Sequence, residues 1–157
     1  MAGVLELMGN PHQGYPSIHI AGTNGKTSTT RMAAALLASH GLSVGAYTSP
    51  HLERVEERAA LNGDPMSPEE FAVAVADVRP FVDLFEERTG DGITYFELTT
   101  VIALSWFAVR PVDVAIVEVG LGGRLDGTNV VDGQVAVLTG VALEHTKHLG
   151  DTLDEIA

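Results

Sequence analysis

The chain has no cysteine among its 157 residues, which excludes disulfides, thiolate metal sites and a cysteine nucleophile, and is compatible with a reducing compartment. Cations are scarce as well: 9 Lys and Arg stand against 21 Asp and Glu, a formal charge of −12. A surface of that sign repels a phosphate backbone, so no nucleic-acid partner is expected. Nothing in the sequence approaches the ~18 consecutive apolar residues of a membrane span. Met1 to Met8 also lacks a basic segment followed by a sustained apolar stretch. These absences point to a cytoplasmic protein with no membrane partner. The 45% of hydrophobic side chains suffices for one α/β domain with a substantial core. A local anion site remains open to so acidic a chain, because backbone N–H groups at a helix start bind phosphate without any basic patch.

Along the chain, Ser17 to Ala21 reads as a strand, Gly22-Thr-Asn-Gly-Lys-Thr-Ser28 as a glycine loop, and the Ala/Leu-rich Thr29 to His40 as a helix. Gly41 then stands at a left-handed C-terminal cap and Leu42 to Tyr47 resumes a strand. Ser67, Pro68 and Glu70 form a helix start, followed by apolar residues at helical spacing from Phe71 to Phe85, with a bend or interruption expected near Pro80. Thr94 and Glu97 make a second capping box for an all-round apolar, hence buried, helix from about Tyr95 to Val109. The Val-rich runs Val112 to Val119 and Gln134 to Thr139 do not alternate, as strands of a parallel sheet covered by helices on both faces should not. Thr152 and Glu155 open a further helix close to the last residue. The expectation is a three-layer α/β/α fold around a mainly parallel sheet, with a chain that stops inside an element.

The glycine loop carries the strongest chemical signal. A full P-loop has glycine six residues before its lysine, where this chain has Ile20, so only the second half, Gly25-Lys26-Thr27, satisfies the pattern. Its position between strand and helix restores the meaning: Gly22 and Gly25 would let amides approach phosphate oxygens, and Lys26 would neutralise them. Thr27 and Ser28 offer hydroxyls for Mg²⁺ or phosphate, or simply cap the helix. Glu118 ends a buried strand, where α/β sheets place ligands, and is the leading metal ligand; capping the next loop or pairing with Arg124 is the alternative. His145 follows the last strand, and spacing alone gives it little weight as a ligand for an oxygen-preferring ion. Glu56, Glu57, Glu86 and Glu87 read as solvated pairs. A P-loop kinase or GTPase is disfavoured by Ile20 and by Glu118 where an aspartate is usual.

Taken in order, His19 to Ser28, Tyr47 to Leu52, Thr94 to Glu97, Val117 to Asp126 with Thr128-Asn129, and His145-Thr146 with Leu149-Gly150 resemble the folylpolyglutamate and dihydrofolate synthases of the Mur ligase superfamily. The resemblance implies an ATP-dependent ligase. ATP would phosphorylate a carboxylate of a pteroate or folate, and L-glutamate would attack the acyl phosphate. It assigns Gly22, Thr23, Asn24, Gly25, Lys26, Thr27 and Ser28 to ATP, and Ser49, Glu118 and His145 to Mg²⁺, with Lys26, Glu118 and His145 in catalytic roles. It gives Thr94, Tyr95, Phe96, Glu97, Leu125, Asp126 and Gly127 to the pterin substrate. Phe96 would pack on the flat ring, or else serve the helix core. Departures are Glu144 before His145 and Gly127 before Thr128, where the family usually has Asp and Ala, and Thr27 where many folate ligases have glycine. The resemblance further implies that residues 1–157 form part of an ATP-binding domain whose glutamate-binding C-terminal domain is absent, inactive alone and monomeric at full length. A nucleotide-binding remnant and a cell-wall Mur ligase fragment are the alternatives.

Overall fold

The structure, a computed structural model, describes residues 1–156. Six strands form one sheet: β1 (Ser17–Ala21), β2 (Val44–Tyr47), β3 (Ala59–Leu61), β4 (Asp64–Pro65), β5 (Val114–Glu118) and β6 (Gly133–Leu138), in the order β4-β3-β2-β5-β1-β6. The pairs β2–β5, β5–β1 and β1–β6 are parallel; β3 and β4 add an antiparallel edge. That edge is too short to announce itself by periodicity and was not expected from the sequence.

Helix α2 (Lys26–Ser39) covers one face over Ile20, Val44, Ala46 and Ile116. Helix α4 (Tyr95–Val109) covers the other over Tyr47, Ala115 and Val117, backed by α3 (Pro68–Thr89) and α1 (Ala2–Leu7). Alternate strand residues therefore meet helices on opposite faces, which is why β2 and β5 are apolar without alternation. Nine consecutive residues of α4, Thr99 to Phe107, are buried, as its uniform apolarity requires.

Most local expectations hold. The Ser67–Glu70 and Thr94–Glu97 boxes are closed in both directions, Gly41 has φ +86°, and Thr152 and Glu155 bond reciprocally at the start of α6 (Leu153–Ile156), beyond the short α5 (Thr146–Leu149). Two expectations are corrected. Helix α2 begins at Lys26 rather than Thr29, because Gly25, in a left-handed conformation, can serve as its N-cap. Helix α3 is not interrupted at Pro80, which lies with Ala76 on the exposed side, where the carbonyl that proline leaves unpaired can meet water. Strand β6 is the last in the order among the described residues, with Val135 and Leu138 50% and 55% exposed.

The topology fixes where chemistry can occur. From β1 the chain passes over β5 to reach β2, whereas from β5 it passes over β1 to reach β6. The carboxyl ends of β1 and β5 thus flank the crevice where the winding reverses, the usual ligand position in an open α/β sheet.

Candidate active site

Gly22 leaves β1 with φ +131°, and a Cβ there would overlap the Thr139 hydroxyl, so no larger residue fits. That hydroxyl donates to Asn24 O at 2.8 Å, the Thr23 N–H donates to Gly140 O at 2.6 Å, and the Ala142 N–H donates to Thr23 Oγ1 at 3.0 Å. The segment after β6 therefore straps the glycine loop from outside. Beyond the strap, the amides of Lys26, Thr27 and Ser28 have no intrahelical acceptor and sit at the positive end of the α2 dipole. Lys26 Nζ folds back on Gly22 O at 2.8 Å and Thr23 O at 3.4 Å. Thr23 differs from expectation in one respect, since its amide and hydroxyl are already engaged by the strap.

Glu118, at the end of β5, faces α2 as Ile116 does and is 2% exposed. Thr27 Oγ1 lies 2.8 and 3.0 Å from its two oxygens, and the Ser49 N–H donates to it at 3.4 Å. Among the described residues no basic group comes within salt-bridge distance of it, Arg124 included. Burial pushes its carboxyl above the ordinary carboxylate range, against the pull of Thr27, the Ser49 amide, Lys26 and Arg31. Thr27 thus serves Glu118 rather than capping α2.

A cleft of about 230 Å³ opens beside these groups, lined by Gly22, Thr23, Lys26, Ser49, Glu144 and His145 among others. Residues far apart in sequence meet here because β1, β2, β5 and β6 all end on this side. His145 has φ +51°, and its side chain, 54% exposed, lies 3.8 Å from Glu144. No three His, Asp or Glu side chains gather into a metal cage among the described residues. Mg²⁺ does not need one: it is commonly held by one or two carboxylates, phosphate oxygens and waters. A buried carboxylate without a cation, bonded to a hydroxyl, suits that ion.

A second cleft of about 230 Å³ shares Ser49, Pro50, Gly120 and Leu121 with the first and adds Arg58, Phe96 and Asp126. Phe96 is both core and lining. A Cβ at Gly120 would stand 2.5 Å from its ring and one at Gly127 3.3 Å away, so the two glycines make room for it. Asp126 accepts N–H bonds from Leu121 and Thr128, each at 2.9 Å, and so shapes the loop in which it lies. Of the other expected substrate residues, Thr94 and Glu97 hold each other in the cap, Tyr95 is 57% exposed with Arg58 over its ring, and Leu125 is 91% exposed.

Sequence reasoning missed Arg58 and the shared wall. No pattern marks an arginine in an irregular segment, although its nearness to Thr48-Ser-Pro-His51 was a usable hint. The solvated reading of Glu56 and Glu57 is also corrected: Glu57 accepts the amides of Leu52, Glu53 and Arg54, and Glu56 pairs with Arg54 at 3.1 Å. These bonds tie down the segment that carries Arg58.

The Mur ligase middle domain model matches residues 20–157. The chain belongs to the Mur ligase family. It is 42% identical over its whole length to the dihydrofolate synthase/folylpolyglutamate synthase of Mycobacterium tuberculosis, covering 34% of that protein. It is 43% identical over 98% of its length to the folylpolyglutamate synthase of Lacticaseibacillus casei, covering 36%. Mycobacterium tuberculosis folylpolyglutamate synthase complexed with ADP and AMPPCP superposes with a TM-score of 0.94 at 42% identity, over 99% of this chain and 36% of that one. An FPGS–AMPPCP–folate complex superposes at 0.93 and 43% identity, over 98% and 38%. The chain spans about a third of the length of these relatives, and the α/β fold expected from sequence is theirs. No helix among the described residues is long and apolar enough to cross a membrane.

Proposed function

We propose that the full-length protein carrying this chain is an ATP-dependent ligase that joins L-glutamate to a pteroate or folate through an acyl phosphate. The observation that carries this reading is the shared wall of Ser49, Pro50, Gly120 and Leu121, which sets a phosphate-binding loop on one side and a Phe96-lined cleft on the other. Two reactants held in adjoining clefts are placed for direct transfer.

The triphosphate would lie along the first amides of α2, with Lys26 released from the carbonyls of Gly22 and Thr23 to meet its terminal oxygens. Glu118, with Ser49 and His145 at the cleft, would hold Mg²⁺, which when bound neutralises charge on the phosphates. A carboxylate oxygen of the acceptor bonds to the γ-phosphorus as the bond to the β-phosphate oxygen breaks, and ADP leaves with the electron pair. The glutamate ammonium first loses a proton to solvent; its nitrogen then bonds to the acyl carbon as the bond to phosphate breaks, inorganic phosphate leaves with the electron pair, and the nitrogen sheds a second proton to give the amide. Because phosphoryl transfer needs positioning and charge more than covalent help, an amide cradle, one lysine and one buried carboxylate are the right parts.

The test is phosphate release from ATP by the full-length protein. It should require a pteroate or folate together with L-glutamate. Turnover with a muramyl peptide and none with either folate acceptor would overturn the assignment.

A further inference from the structure

Two charged side chains, Glu118 and Arg58, are buried in this half of the molecule with no opposite charge at salt-bridge distance among the described residues. Glu118 belongs to the nucleotide side. Arg58, 9% exposed, lies on the acceptor side. A buried guanidinium without a counter-charge is costly unless something supplies one.

Its direct partners hold it still without neutralising it, and Asp126, the carboxylate that lines the same cleft, accepts from the amides of Leu121 and Thr128 and forms no ion pair with it. Arg58 Nε donates to His51 Nδ1 at 3.0 Å, Nη1 donates to Thr99 Oγ1 at 3.3 Å, and the guanidinium lies 5.3 Å from the centre of the Tyr95 ring. The Tyr47 hydroxyl is a further hydrogen-bond neighbour of the guanidinium, and none of these partners is a carboxylate. Arg58 itself lines the cleft, so the guanidinium is within reach of what binds there. Phe96 lines the same cleft, and Ser49 and Pro50 connect it to the nucleotide side.

We propose that Arg58 binds the acceptor's reacting carboxylate, pairing with it while the adjoining aryl ring packs on Phe96. The planar guanidinium is the side chain best matched to a carboxylate. On a chain of formal charge −12, an anionic acceptor needs a local cation to enter at all. The inference rests on the ligase reading and assigns its acceptor site a specificity-determining residue.

The experiment compares pteroate with its carboxamide, which keeps both rings and lacks the charge, by calorimetry on the full-length protein in Mg-ATP-free buffer. Wild type should bind the carboxylate roughly 10–100-fold more tightly, as a charge-assisted bond at a desolvated site implies. Arg58→Gln should bring that ratio to about one, and Arg58→Lys should restore part of it, since lysine keeps the charge but not the fork. A purely structural role would weaken both ligands equally and leave the ratio unchanged. That outcome, or equal binding of the two ligands by wild type, which needs no variant, would overturn the inference while leaving the ligase reading intact. Failure of wild type to bind either ligand, with ATP turnover on another acid, would overturn the acceptor reading and this inference with it.

Discussion

The two sides of the shared wall are built from different materials. The glycine-loop side is mostly backbone: a glycine that tolerates φ +131°, the unpaired amides of α2, and a strap from residues 139–142 made of main-chain and threonine-hydroxyl bonds. The acceptor side is mostly side chain: Phe96 from α4, Arg58 from the segment before β3, and Asp126 from the loop after β5. Backbone sites follow from a few contiguous residues, because loop conformation and helix dipole are local properties. Side-chain sites exist only once distant segments have packed. Substitutions should accordingly act abruptly on one side and gradually on the other.

The largest effect is expected at Lys26. Lys26→Ala removes the one ammonium at the loop and should lower phosphate release in the full-length protein by about 10²–10³-fold or more, measured by a coupled phosphate assay. A loss under tenfold would mean that the amides suffice and would sharpen the backbone side of the contrast.

Glu118→Gln is next and should act in opposite directions with and without ligand. The folded protein holds the Glu118 carboxyl above its ordinary value, so the folded state binds the proton more tightly than the unfolded one. Wild-type stability therefore falls as pH rises from the usual carboxylate value to the raised one. The variant lacks this loss, so its advantage in the ligand-free protein should grow across that window and then level off. Mg-ATP should stabilise wild type and leave the variant nearly unshifted. Parallel pH–melting curves for the two proteins would refute the account.

Thr27→Val keeps the shape and removes the hydroxyl at 2.8 Å from Glu118. A hydrogen bond to a charged group is worth roughly 1.5–3 kcal/mol, so denaturant titration at neutral pH should show a loss of that order, and the Glu118 carboxyl should rise further. No change would mean that water replaces the hydroxyl.

The smallest effect belongs to the acceptor side. Gly127→Ala puts a methyl 3.3 Å from the Phe96 ring, while alanine lowers the entropy of the unfolded chain. The opposing contributions should leave stability within about 1 kcal/mol of wild type, whereas acceptor affinity should shift if Phe96 moves. An unchanged affinity would show that the ring is held from the core side alone.

Much of the fold was legible because its signals are local. The strand–loop–helix over Ser17 to Ser39, the reciprocal caps at Ser67 and Thr94, and the apolar α4 each depend on residues within a few turns of one another. Pro80 misled because proline's effect depends on whether the freed carbonyl meets water, which is a matter of which face the helix buries. Glu57 misled because an acidic pair carries no sign that three amides of an irregular segment converge on it.

The sequence by itself determined the form of the glycine loop, since Gly22, Gly25 and Lys26 act through conformation and charge within one turn of chain. It also determined the layered fold, since both faces of β2 and β5 are apolar. Only the tertiary structure decided that Thr27 serves Glu118, that two clefts share the lining of Ser49, Pro50, Gly120 and Leu121, and that Arg58 is buried with no opposite charge at salt-bridge distance among the described residues. The reason is physical: a charge becomes costly, and so chemically informative, only when surrounding segments remove its water, and no linear pattern records which segments those are.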